Sequence, residues 1–126
     1  MNRLISLITT YLILMLLGCD GTNKEIISTR DNKNHLTILN TEDGKYLIHG
    51  EYEADVLPPS GYLKADSFFE WQACLVKWTD DKIEIFSTYG SFDTLNAGGV
   101  FKTVRVTTKE FEELKRDSLE YIYFYF

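Results

Sequence analysis

The stretch SFFEWQACLVKWTDDKIEIFSTYG, Ser67 to Gly90, decides the fold, because its first half carries two incompatible periods. Phe68, Trp71, Leu75 and Trp78 recur at helical spacing, and Ser67 with Glu70 has the form of a capping box. The second half resolves the conflict. "TDDK" is a turn, and folding the chain there sets Trp78 opposite Ile83, Lys77 opposite Glu84 and Val76 opposite Ile85. Apolar residues then meet on one face and opposite charges on the other, which is how cross-strand pairs stabilise a sheet. The stretch reads as a strand and its hairpin partner. Cys74 falls on the apolar face with Val76 and Trp78 and reads as a buried, inert thiol.

Outward from this hairpin the chain is strand-rich. Ile26 to Thr29 is a short first strand, followed by the loop "RDNKN". "HLTIL" (His35 to Leu39), "TEDG" and "KYLIHGEYEADV" (Lys45 to Val56) form a hairpin in which Gly44 supplies positive φ. Along its second strand Tyr46, Ile48, Tyr52, Ala54 and Val56 alternate with Leu47, His49, Glu51, Glu53 and Asp55, so the even positions are expected to face inward. Pro58 and Pro59 end it. Val100 to Val106 is a further strand after the loop "SFDTLNAGG". Residues 107–117 form one helix, with a capping box at Thr107 and Glu110 and with Lys115 and Arg116 at its negative end. The final "YIYFYF" would invite aggregation if left open and is expected inside a sheet. The expected class is α+β: a mainly antiparallel sheet of five to seven strands, with a helix before the last strand.

The first nineteen residues are of another kind. Arg3 precedes an apolar run from Leu4 to Leu17, with Gly18 before Cys19, the layout of a secretory signal. Fourteen residues interrupted by Ser6, Thr9 and Thr10 are too few to span a bilayer, which takes roughly 20. Leu16 stands where ordinary secretory cleavage wants a small residue. Leu16-Leu17-Gly18-Cys19 resembles the lipobox of bacterial lipoproteins. That resemblance implies cleavage between Gly18 and Cys19, a covalent lipid on Cys19, and a domain held to a membrane in the cell envelope. It leaves open which membrane, because Asp20 follows a retention rule that differs between bacterial groups. Residues 19–24 then read as lipidated cysteine and tether, and 25–126 as one globular domain.

Removal of residues 1–18 takes away Arg3 and moves the net charge from −6 to −7. A chain this acidic, without a Lys/Arg cluster, is not built for nucleic acid and suits a basic partner. With Cys19 alkylated, Cys74 is the sole thiol, so no internal disulfide forms and the fold rests on packing, much of it from seventeen aromatics. His35 and His49 belong to no zinc set, and no metal or other cofactor is expected. Glu51, Glu53 and Asp55 share one strand face, too widely spaced for calcium, and are the candidate contact for a basic envelope protein. No nucleophile elbow or phosphate loop is present, and "NAGG" (Asn96 to Gly99) precedes a strand instead of a helix. The expected role is an interaction module. An inhibitor or immunity-type lipoprotein is the close alternative, then a small-ligand carrier, with an enzyme last.

Overall fold

The computed structural model describes residues 22–66 and 72–125. The anchor sequence through Cys19 and the Ser67–Glu70 capping box lie outside those residues. Among the described residues, nine strands and one helix follow in chain order: β1 (Asn23–Ser28), β2 (His35–Thr41), β3 (Gly44–His49), β4 (Tyr62–Ala65), β5 (Ala73–Trp78), β6 (Ile83–Ser87), β7 (Phe92–Asp93), β8 (Phe101–Arg105), α1 (Thr108–Lys115) and β9 (Ile122–Tyr125). They make two sheets, where the sequence reading has one. The first is antiparallel throughout, in the order β1-β2-β3-β4-β7; the second runs β8-β6-β5-β9.

The decisive stretch is a strand from Ala73 onward. Trp78 pairs with Ile83, Lys77 with Glu84 and Val76 with Ile85, the register expected from the turn. Thr79 holds that turn: its N–H donates to the Lys82 carbonyl at 2.8 Å and its Oγ1 accepts from the Lys82 N–H at 3.0 Å. The charges, however, choose other partners. Lys77 pairs with Glu120 at 3.4 Å and Glu84 with Lys102 at 3.8 Å.

Between the sheets lies the main core: Ile27, Leu36, Ile38, Leu47 and Leu63 from the first, and Cys74, Val76, Ile83, Ile85, Phe101 and Phe124 from the second. Each sheet is also covered on its outer face. Helix α1 lays Phe111 on Leu75 and Phe86, with Tyr121 and Tyr123 beside them. The segment after β3 lays Tyr52 and Leu57 on Leu39, Tyr46 and Ile48. This double covering overturns the expected alternation on β3. Leu47, an odd position, faces the inter-sheet core, and the even Tyr46 and Ile48 face the outer cover.

Three further differences have physical causes. β8 runs parallel to β6, because the chain leaves the second sheet, forms β7 at the edge of the first, and returns by a crossover. β9 sits at an edge, bonded only to β5 among the described strands, and not inside a sheet. Lysines lie on the rings at and just before it: the Lys115 ammonium is 4.2 Å from the Tyr123 ring centre, and that of Lys77 is 5.2 Å from the Tyr121 ring centre. Finally, β1 begins at Asn23, which pairs with Asn40, so the first strand takes in residues 23 and 24 of the expected tether.

The cap of α1 is as expected. Thr107 Oγ1 accepts from the Glu110 N–H, and the Glu110 carboxylate accepts from the Thr107 N–H. Gly44 takes φ +151° directly after the Glu42-Asp43 turn. A Cβ there would come within 3.1 Å of Lys64 Cε, the movable end of a long side chain, so it is the positive φ that favours glycine.

Candidate functional site

Strand β3 ends at His49, and Gly50 turns the chain with φ +80°. Residues 50–57 then cross the outer face of the first sheet as a strap. Thr37, fully buried on β2, pins its start: Thr37 Oγ1 donates to the Gly50 carbonyl at 2.7 Å and accepts from the Tyr52 N–H at 2.9 Å. The Gly50 N–H donates to the His35 carbonyl at 3.0 Å. Tyr52 closes the other half by donating its hydroxyl to the Val56 carbonyl at 2.6 Å.

The strap corrects the expected acidic stripe. Glu51, Glu53 and Asp55 do not project from one face of a strand. Asp55 pairs with Lys24 of β1 at 3.2 Å, and the same ammonium donates to the Glu53 carbonyl oxygen. Glu51 and Glu53 are exposed. The pair with Lys24 escaped sequence reading because β1 and the strap are brought together only by the first sheet.

Among the described residues, clefts lie at both ends of this layer, including one of about 230 Å³ beside Ser28, Arg30 and Leu119. β1 pairs Asn23 with Asn40 and Ser28 with His35, so the Asn23 end carries the β2–β3 turn, and the other end carries His35 and His49. At the Asn23 end, a cleft of about 490 Å³ is lined by Thr22, Leu39, Tyr46 and Leu57, with Glu42, Asp43 and Asp55 around it. At the other end, a cleft of about 170 Å³ lies between Asn34, just before β2, with His49 of the first sheet, and the β5–β6 hairpin, Trp78 to Ile83, of the second. Neither aromatic nor acidic residues of this second cleft stand close in sequence to Asn34 and His49, which is why the sequence did not reveal it.

The histidines separate. His35 Nδ1 lies 2.7 Å from Ser28 Oγ, and His49 lines the smaller cleft. Among the described residues, no group of three or more His, Cys, Asp or Glu is placed to hold a metal ion. Cys74 is fully buried in the inter-sheet core with Val76, Ile83 and Ile85, and Trp78 packs against the same cluster. Burial pushes its thiol up to about 12, opposed only in part by a hydrogen bond with Gln72. A thiolate nucleophile is not formed there at neutral pH. Among the described residues, no helix is long and apolar enough to cross a membrane. Compared with known protein families, curated proteins and solved structures, the chain matches none of them.

Proposed function

We propose that the chain is a lipid-anchored binding module of the bacterial cell envelope, holding a basic protein partner at the membrane. One observation carries the reading: the short apolar run that ends in Leu16-Leu17-Gly18-Cys19. Lipid on Cys19 anchors stably because two acyl chains suffice where one does not. Residues 19–22 then form the whole link to β1, and fully extended they reach at most about 14 Å. The Asn23 end of the sandwich faces the bilayer, and the His49 end faces away. A net charge of −7 after cleavage, with Glu51 and Glu53 open to solvent, favours a basic partner and speeds encounter with it.

The test is Cys19→Ser in the native host. Wild-type protein should sediment with membranes and show an intact mass raised by diacylglycerol on residue 19. The variant should be released, or remain as an uncut precursor. An unmodified Cys19 thiol in the wild-type protein sinks the reading.

A further inference from the structure

We infer that the cleft at the membrane-distal end is a socket for one basic side chain, an arginine or lysine, of the partner; this rests on the basic-partner reading above and gives that partner a docking point. The cleft joins two separate elements. Asn34 and His49 come from the ends of the first sheet, and Trp78, Asp80, Asp81 and Lys82 come from the β5–β6 hairpin.

Each wall has the chemistry a bound cation needs. Trp78 is half-buried, packs against the inter-sheet core and lines the cleft. Indole is the best aromatic partner for an ammonium or guanidinium. Asp80 and Asp81 supply two carboxylates that make no ion pair among the described residues. Asn34 and His49 add polar groups on the opposite wall.

The one resident cation is already engaged. Lys82 Nζ donates to the Gly99 carbonyl, which holds it toward the β8 side of the cleft. Thr79 braces the turn that presents the aspartates through both its backbone and its hydroxyl. At about 170 Å³ the space suits one side-chain head and its stem, and not an extended segment.

The larger cleft is less suited to this partner. Its Asp55 is paired with Lys24, and it lies at the end from which the chain runs to Cys19. The distal cleft stands one strand length further out, about 20 Å at 3.3 Å per residue over the six residues of β1. A membrane-bound domain reaches an envelope partner first with that end.

The probe is the peptide acetyl-Gly-Arg-Gly-Arg-Gly-Arg-amide, with a citrulline counterpart of the same shape and no charge. Both are titrated into the full chain, purified in detergent and labelled with ¹⁵N, and amide shifts are followed. The arginine peptide should shift residues 34, 49 and 79–83 together. Citrulline, or the double variant Asp80→Asn/Asp81→Asn, should weaken the interaction about threefold, the scale expected when exposed charge pairs are lost. Trp78→Phe keeps a ring in the core and should give a smaller loss. Equal binding of the citrulline peptide overturns the socket in favour of a neutral ligand. Shifts centred on Glu51, Glu53 and Glu42, unchanged by the double variant, overturn the socket but keep a basic partner. No binding of either peptide overturns both. None of these results depends on the lipid, so a failed anchor and a failed socket are told apart.

Discussion

Cys74 shows what the sandwich does to a single side chain. Its thiol sits at zero exposure among aliphatic neighbours, and burial raises it from an ordinary 9.0 to about 12. Two outcomes follow from that environment. Thiol reagents should leave the native protein unlabelled and react fully on denaturation; fast labelling of the folded chain contradicts the placement. Stability should also depend on alkaline pH with a definite sign. The unfolded thiol loses its proton near pH 9 while the folded one keeps it, so the folded state binds more protons between about 9 and 12. Stability is therefore complete below pH 9 and falls above it, by up to about 1.4 kcal/mol per pH unit from this group. Tyr123 is also raised, to about 12, by desolvation and by its hydrogen bond with Tyr125, but it is open enough to water that it adds little to this slope. Urea unfolding at pH 8, 9.5 and 11 measures the slope. Cys74→Ala, which lacks the titrating thiol, should show a shallower decline between pH 8 and 9.5.

At the scale of the element, legibility followed the range of the forces involved. The β5–β6 register and the α1 cap were readable because each is closed by residues within a few positions, Trp78 to Ile83 and Thr107 to Glu110. The cap supports a direct test: Thr107→Ala should cost about 1 kcal/mol in urea unfolding, and Glu110→Gln less. β3 was readable as a strand but not in its orientation. Alternation shows which side of a strand is more apolar when the other side meets water. Here both sides are covered, so Leu47 at 0% and Ile48 at 1% exposure carry no contrast. Leu47→Ala and Ile48→Ala should therefore both be costly, each within about 2–5 kcal/mol. A near-neutral Leu47→Ala would restore the one-sided strand that alternation implies. The candidate site divided in the same way. Glu51, Glu53 and Asp55 were legible as acids, but Gly50 and Thr37 decide where they point, and Thr37 lies 13 residues before Gly50. The distal cleft joins residues as far apart as Asn34 and Val100, so no local pattern could assemble it.

The whole molecule is two sheets with a cover on each outer face, and the two covers are held differently. α1 is an autonomous element with its own cap and apolar stripe. The strap has no repetitive structure, so its position depends on a few side chains, above all Thr37. Thr37→Val keeps the shape and removes the hydroxyl. The Gly50 carbonyl and the Tyr52 N–H then lose their partner, at about 1–3 kcal/mol for polar groups left unsatisfied in a buried setting. The loss is expected to be local before it is global. Hydrogen exchange at Tyr52 should accelerate well beyond that at Leu47 or Val76, because the strap can lift while both sheets remain paired. Lifting exposes Leu39, Tyr46 and Ile48, so the variant should also bind a hydrophobic dye that the wild-type protein ignores. Lys24→Met, which removes the pair with Asp55 at the strap's far end, should do much less, since 77% of the Asp55 side-chain surface is exposed and surface pairs contribute about 0–1 kcal/mol. Uniform acceleration of exchange across both sheets in Thr37→Val would show instead that the strap and the sandwich unfold as one unit.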